Sequence, residues 1–365
     1  MKRLTVAISP FANSINSGHS LIDDEFYFEY LVKKNADFIF YTSKISADRI
    51  LLKFKCKDNH LRVVDDYNQN GIGHFKYAFS LKIPKNSKVI FFGYSEKLVS
   101  IWYTINAAKP FDLILVATNN ISARRVSLYR RSLQSFFRLI NSKLRRLVLH
   151  TNHEVHLVGI LAHYVLARCF VKKHHLMIPK AKSEFRSSPG MATIAYFGPP
   201  KPEKPLRPLI DLVQADQNLR ISFKLFNVEK SYFLEQSGLS DIPANVLLHN
   251  DWMTDDEYRA AFMSCDLVLM THTNEFEGKL SGNLCDCIAY GIPYIAQPIE
   301  PLIDMQSHYG SIGFLCDLTK QGWASDLIDE IDSTAIEVMA KNMRAAGAQH
   351  SLTAIIQDLD QALKV

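Results

Sequence analysis

The sequence predicts an α/β protein made of two Rossmann-like domains, each built on a parallel sheet. The chain has 365 residues, more than the roughly 250–300 residues at which a single core stops growing. Short apolar runs alternate with helix-like segments along both halves, as in a doubly wound sheet. A stretch rich in Lys, Ser, Pro and Gly at 180–190 interrupts this alternation. We therefore predict an N-terminal domain at 1–180 and a C-terminal domain at 190–365.

The composition indicates a soluble globular protein, with 47% hydrophobic and 22% charged residues. The six cysteines are scattered, and the pair Cys285 and Cys287 lacks the second pair that a zinc site needs. We therefore expect no metal and no disulfide scaffold. The apolar run at 4–9 is too short for a signal peptide, and no stretch is long enough to span a membrane. We expect a cytoplasmic protein, free or peripheral on the inner face of the plasma membrane.

The first half follows the alternation in order, although residues 56–85 show no clear pattern. Pro10 ends the first apolar run. Acidic residues early and lysines late in the first helix match the helix dipole. The elements predicted in this half are strands at 4–9, 37–42, 89–93, 111–117, 147–150 and 175–178, and helices at 21–34, 96–107 and 154–170.

The second half restarts the alternation after the linker. Thr254 is a predicted N-cap because three acidic residues follow it in the first helical turn. Gly291 is predicted to end the helix at 281–290. The elements predicted here are strands at 193–197, 220–226, 246–249, 266–271 and 292–296, and helices at 206–216, after 254, at 281–290, 334–347 and 351–363.

Motifs between 246 and 317 follow a distinctive order. They are a strand and turn at Leu247–Asp251, an early helix with Tyr258–Phe262, an apolar strand at Cys265–Met270, an acidic, Gly-rich loop with the following helix from Glu275, and the Gly-Ile-Pro strand Gly291–Ala296. This order resembles the donor half of GT-B glycosyltransferases, especially the large retaining family with sucrose synthase-like and mannosyltransferase-like members. The resemblance covers about 190–320 and is only architectural over 1–180. It implies two domains facing a cleft and a UDP- or GDP-sugar donor as substrate, without a cofactor.

One departure from that family lies in the acidic loop. The retaining family carries Glu-x7-Glu there, whereas Asp286 takes the second position and Gly278 falls at the first. Glu275 and Glu277 are close but out of register. We take Glu277 as a candidate catalytic residue, and the choice between retention and inversion stays open.

The predicted phosphate cradle is the loop that opens the helix after Gly278. Transfer from a nucleotide sugar builds negative charge on the leaving phosphate, and helix N-termini and cations stabilise such charge. The predicted residues are Lys279, Ser281, Gly282 and Asn283, and the alternative is an ordinary loop with a serine cap. Asp286, one turn further, is predicted to bind ribose hydroxyls, or else is a helix-surface acid.

A second group of donor residues follows two strands. Ile194–Gly198 with the basic residues after it resembles the first donor-domain strand and the phosphate-binding loop of that family. Gly198, Lys201 and Lys204 are therefore candidates, the alternative being a solvated loop. His249 lies where this fold usually meets the nucleotide base.

The acceptor side is predicted in the first half. Ligands sit beyond the carboxyl ends of parallel strands, so Gly18 and His19 in the loop after the first strand are candidates. An inverting reaction needs a base. Glu154 is our candidate, considered beside Asp23, Asp24 and His153, and its alternative role is a helix N-cap.

Residues 124–146 hold eight cations and no acid, interleaved with aromatic and aliphatic residues. A cationic amphipathic helix is typical of a contact with an anionic membrane surface, which would suit a lipid-linked acceptor. The alternative is a solvated basic face.

The leading hypothesis is a glycosyltransferase of surface polysaccharide or glycolipid synthesis, acting on a saccharide or lipid-linked acceptor. A sugar-nucleotide 2-epimerase would need more acids and histidines in the cleft. Nucleic-acid binding is disfavoured because the cations occur in one segment without a motif for base readout. An inactive, partner-binding homologue is an alternative because of Gly278.

Overall fold

The computed structural model describes residues 3–10, 19–34, 37–55, 58–64, 71–92, 96–117, 135–136, 138–140, 142–150, 169–172, 191–251, 253–273, 281–349 and 352–363. The chain divides into two compact units, Met1–Met177 with Thr353–Val365, and Ile178–Leu352. Each unit contains a parallel sheet with helices packed on it. The predicted α/β class with two Rossmann-like domains is confirmed.

The first unit is built on seven strands. They are β1 Thr5–Ile8, β2 Phe38–Thr42, β3 Leu61–Val63, β4 Ser87–Phe92, β5 Phe111–Ala117, β6 Leu144–His150 and β7 Cys169–Lys172. Its helices are α1 His19–Lys33, α2 Lys44–Phe54, α3 Gly71–Ser80 and α4 Glu96–Asn106. All strand pairs are parallel, in the order β3-β2-β1-β4-β5-β6-β7.

The centre of this sheet is buried on both faces, which explains why β1 and β4 read as continuous apolar runs. On one face Val6 and Phe91 pack with Tyr77 of α3 and Trp102 of α4. Phe136, which precedes β6, belongs to the same core. The helices α3 and α4 and the segment around Phe136 therefore cover the same face of the sheet.

Several elements of this unit were missed or misplaced by the sequence patterns. Nothing was predicted over α2, which begins at its N-cap Ser43 and ends at Lys55 in the left-handed region with φ 46°. Cys169 and Phe170, predicted to end a helix, belong to β7 because they pair with β6. The rest of that predicted helix and the predicted strand at 175–178 lie outside the described residues.

The predicted basic helix at 124–146 is wrong at its end. Residues 144–146 belong to β6 and pair with β5. Residues 124–134 lie outside the described residues.

The second unit carries six strands and most of the elements predicted for it. The strands are β8 Ala192–Phe197, β9 Ile221–Phe226, β10 Val246–His249, β11 Leu267–Met270, β12 Tyr294–Ala296 and β13 Gly313–Leu315. The helices are α5 Arg207–Ala215, α6 Lys230–Ser237, α7 Asp255–Met263, α8 Gly282–Tyr290, α9 Glu300–Tyr309, α10 Trp323–Glu330 and α11 Ser333–Gln349. The strands are parallel, in the order β10-β9-β8-β11-β12-β13.

Two helix ends of this unit confirm the sequence signals. Thr254 and Glu257 form a capping box at the start of α7. Gly291 ends α8 with φ 70°, a backbone conformation that favours glycine. The sequence patterns gave no prediction for α6, α9, β13 or α10.

The last helix, α12 Leu352–Leu363, corrects the predicted boundary of the second domain. Thr353–Val365 groups with the first unit. The Tyr30 hydroxyl donates to Asp360 Oδ1 at 3.1 Å, and Lys34 forms an ion pair with the same carboxylate. Lys88 Nζ donates to the carbonyl of Leu363 at 2.8 Å. These polar contacts attach α12 to α1 and β4.

We expect Asp360→Ala to lower the midpoint of thermal unfolding, because it removes the acceptor of Tyr30 and the partner of Lys34. The loss is about 1 kcal/mol, since the hydrogen bond is part-buried while the ion pair is screened. Calorimetry is the measurement. The control is Asp329→Ala, whose ion pair with Arg220 is exposed on both sides. An equal change of the unfolding midpoint in the two variants would contradict a stabilising role for the contacts of Asp360 with α1.

Candidate functional site

The carboxyl edge of the second sheet brings together several of the residues predicted from the sequence. Gly198 directly follows β8, and its N–H donates to the carbonyl of Phe226 at the end of β9, at 3.2 Å. Gly198 has φ +99° with open space around its Cα. Backbone conformation rather than crowding therefore requires a glycine at this turn.

The two predicted lysines form a small hairpin beside this turn. The backbones of Lys201 and Lys204 bond reciprocally at 3.1 and 2.8 Å. Thr273 N donates to the carbonyl of Glu203 at 3.1 Å, which attaches the hairpin to the segment after β11. Burial lowers the pKa of Lys204, and the charge of Lys201 adds to this. A partly desolvated ammonium beside a second cation favours an anionic ligand.

The start of α8 lies against the same turn. Ser281 is the N-cap, and its hydroxyl accepts from Leu284 N at 3.4 Å. Asn283 Nδ2 donates to the carbonyl of Phe197 at 3.2 Å, one residue before Gly198. Gly282 and Asn283 are partly exposed. The positive end of the α8 dipole is thus held next to the Gly198 turn, an arrangement suited to an anion.

His272 is a further residue of this site that sequence reasoning missed. Its side chain is buried, and its Nε2 lies 3.3 Å from Ser281 Oγ. The imidazole therefore helps to orient the N-cap hydroxyl. No signal around His272 in the sequence indicates this contact, because its partner lies nine residues further along the chain.

The structure places Asp286 against α7. The side chain is buried, and its Oδ2 accepts a hydrogen bond from the Tyr258 hydroxyl at 2.8 Å. Burial first and the Asp286 charge second raise the pKa of Tyr258 well above its usual range. This hydrogen bond joins α7 to α8.

A row of aromatic rings runs across the ends of three strands. Phe197, Phe226 and His249 are register neighbours on β8, β9 and β10. The rings of Phe197 and Phe226 stack at 4.6 Å between centroids, and those of Phe226 and His249 stack at 4.8 Å. His249 is the exposed end of the row. Its ring plane is therefore set by packing and presented at the edge of the sheet.

The other predicted site residues are not placed in this arrangement. Lys279, Glu277, Glu154 and Gly18 lie outside the described residues. His19 is the first residue of α1 in the first unit. Within the described ranges, no group of three or more His, Cys, Asp or Glu residues is positioned to hold a metal ion.

The carboxyl edge of the first sheet contains a buried carboxylate, Asp24. Its Oδ2 accepts hydrogen bonds from Thr42 and, at 2.6 Å, from Ser46, and Ser9 also donates to this carboxylate. Burial raises its pKa to about 6 against the opposing effect of these hydroxyls. Asp24 thus joins α1 to the ends of β1 and β2 and to the start of α2.

This raised pKa predicts how stability depends on pH. The unfolded carboxyl titrates near 3.9, so the contribution of Asp24 is fully present below about pH 4 and is lost as pH rises through about 6. We expect Asp24→Asn to remove this dependence. Relative to wild type, its free energy of unfolding should rise by about 3 kcal/mol from well below pH 4 to well above pH 6.

Urea unfolding across that pH range is the measurement. Asp48→Asn, at an exposed position of α2, is the matched control and should follow the wild-type profile. Parallel profiles for wild type and Asp24→Asn would show that this carboxyl does not titrate as described.

Comparison with known proteins rests on structure alone, since no family model and no curated protein matches the chain. HepE from Anabaena, crystallised with UDP, is 15% identical, with 99% of each chain covered and a TM-score of 0.69. Sucrose-phosphate synthase from Thermosynechococcus elongatus is 12% identical, covering 99% of this chain and 98% of that one, with a TM-score of 0.70. A glycosyltransferase from Rickettsia africae is 11% identical over 100% of both chains, with a TM-score of 0.68.

The chain has the GT-B fold. The resemblance inferred from the motifs between 246 and 317 is confirmed at the level of this fold. In the GT-B fold of this chain, the Gly198 turn, the lysine hairpin, His249 and the start of α8 share one edge of the second sheet. None of the described helices is long and apolar enough to cross a membrane.

Proposed function

We propose that the chain is a glycosyltransferase that takes a sugar from a UDP- or GDP-sugar bound at the carboxyl edge of the second sheet. The observation that carries this proposal is the hydrogen bond from Asn283 to the Phe197 carbonyl, which holds the start of α8 beside the Gly198 turn. The GT-B fold supports it, as does the UDP held by HepE and the UDP-glucose in another HepE crystal.

The chemistry follows from the charge that develops during transfer. A hydroxyl oxygen of the acceptor bonds the sugar carbon and gives up its proton, the bond between the sugar and the diphosphate breaks, and negative charge grows on the leaving phosphate oxygen. The α8 N-terminus with Gly282 and Asn283 stabilises that charge, and Lys201 and Lys204 add cations. These groups are held by backbone and side-chain hydrogen bonds before the ligand arrives, so little reorganisation is needed.

The remaining donor contacts are proposed by position. His249, with its ring fixed by Phe226, offers a flat surface to the nucleotide base. Asp286 is proposed to accept from the ribose hydroxyls, with Tyr258 orienting the carboxylate. Lys279 is proposed as a further phosphate contact and Glu277 as the sugar contact.

We propose a saccharide or lipid-linked acceptor, as in surface polysaccharide or glycolipid synthesis on the cytoplasmic side of the membrane. Gly18 and His19 are the proposed acceptor contacts and Glu154 the proposed base. Peripheral attachment through 124–146 is part of this proposal. Two of its described cations are engaged within the unit, since Lys143 donates to the carbonyl of Lys109 and Arg145 donates to Asp112.

A second candidate is a catalytically inactive GT-B protein that binds a nucleotide sugar. The observation in its favour is Gly278, which stands where the retaining family carries a glutamate. Both candidates bind the nucleotide, but only the transferase releases it from the sugar. Formation of UDP or GDP from a panel of nucleotide sugars, with and without added saccharides, separates the two.

We expect UDP to raise the midpoint of thermal unfolding, because a ligand that binds only the folded state stabilises it. Lys201→Ala and Lys204→Ala should each weaken UDP binding about tenfold through the loss of a charge-assisted contact. Lys279→Ala should abolish the shift. Isothermal titration calorimetry and thermal shift are the measurements.

Arg220→Ala is the matched control, because Arg220 precedes β9 at the opposite end of the sheet and pairs with Asp329. It should leave UDP affinity unchanged. If neither UDP nor GDP shifts the wild-type protein, the assigned donor site is wrong.

A further inference from the structure

The outer face of α3 in the first unit is apolar and exposed. Ile72, Phe75 and Phe79 are 71%, 52% and 66% exposed, respectively. Their spacing along the helix puts them on one stripe, while Tyr77 and Ala78 of the same helix are buried in the core. A surface helix normally carries polar residues opposite its core face. This helix instead presents a second apolar face that nothing in its own unit covers among the described residues.

The exposed stripe continues onto neighbouring elements of the same side of the sheet. Ile105 at the end of α4 is 38% exposed. A cavity of about 350 Å³ lies between the ends of α3 and α4, and Phe79, Lys82, Ile105 and Lys109 are among the residues that line it. The apolar face and the cavity therefore form one continuous surface.

The charged side chains on α3 and on the loop after it are of one sign. Lys76, Lys82 and Lys85 are exposed, and the sequence contains no Asp or Glu between residues 67 and 95. Large exposed apolar side chains surrounded by lysines favour a partner that has both an apolar region and anionic groups. A second copy of the chain would bring the same cations face to face, which opposes self-association through this surface.

We propose that this surface, made of the outer face of α3 with Ile105 and Lys82, binds an anionic lipid bilayer. The aromatic and aliphatic side chains insert at the level of the headgroups, and the lysines pair with lipid phosphates. Each lysine near such a surface strengthens binding about fivefold.

Described residues of the 124–146 segment pack on the same face of the first sheet as α3. Phe136 and Ile140 belong to the core cluster that contains Tyr77, while Arg138 and Leu139 are exposed. Residues 135–136 and 138–140 and helix α3 thus lie on one face of the first sheet. The bilayer contact involves none of the donor-site residues of the second unit, so lipid binding and UDP binding are tested separately.

The test is flotation of the full chain with vesicles of phosphatidylcholine alone or mixed with phosphatidylglycerol. We expect recovery only with the mixed vesicles. The double variant Phe75→Ser, Phe79→Ser and the double variant Lys76→Glu, Lys82→Glu should each reduce recovery at least about tenfold. Leu52→Ser is the control, because Leu52 is an apolar residue of α2 that is 83% exposed.

The side chains substituted in α3, at Lys82 and at Leu52 are exposed, and an unchanged thermal midpoint and UDP affinity would confirm that each variant is folded. Failure of the wild type to float with the mixed vesicles would overturn the proposal. So would loss of binding by an Arg130, Arg131 and Arg138 triple substitution alone, with Phe75→Ser, Phe79→Ser unaffected. A dimer of the wild type that the Phe75→Ser, Phe79→Ser variant does not form would assign the surface to a second copy instead.

Discussion

The candidate site depends on one hydrogen bond, from the Asn283 side chain to the Phe197 carbonyl at 3.2 Å. It joins the first turn of α8 to the end of β8 and so fixes the position of the N-terminus of α8, the positive end of the helix dipole. Other contacts hold the helix in this position. The Tyr258 hydroxyl of α7 donates a hydrogen bond to Asp286 of α8. Helix α11 packs closely on α8 at Gly347, where an added Cβ would lie 2.7 Å from the Ile288 carbonyl oxygen. An anion site made in this way is preorganised.

The two units have the same type of polar contact at the carboxyl edges of their sheets. In the second unit, His272 after β11 contacts the N-cap hydroxyl of Ser281. In the first unit, Asp24 of α1 accepts from hydroxyls at the end of β2 and in the first turn of α2. Buried polar side chains thus connect strand ends to helix starts, which orders the edge where ligands of parallel sheets bind.

Much of the second unit could be predicted because its signals are local. Thr254 with Glu257, Ser281 and Gly291 are capping residues whose roles depend only on neighbours within a few positions. What could not be predicted depends on contacts distant in sequence. The role of His272 requires Ser281 to be near, and the place of α12 requires Asp360 to meet Tyr30 and Lys34.

Helix α3 escaped prediction for a different reason. Apolar residues occupy both its inner and its outer face, so the helical period is blurred in the sequence. The lysine hairpin could be predicted only in part. Its cations were visible in the sequence, but the partial burial that lowers the pKa of Lys204 was not.

The most direct test of the account is the affinity for UDP of Asn283→Asp, measured by calorimetry beside Asn342→Asp. The first change removes the donor to Phe197 and puts a negative charge at the start of α8. The second removes another bond from an asparagine amide to a backbone carbonyl, the exposed one from Asn342 to Ser311 at 2.9 Å. We predict that Asn283→Asp weakens UDP binding by more than about tenfold while the thermal midpoint without ligand changes little. Equal affinities for Asn283→Asp, Asn342→Asp and wild type would contradict the account.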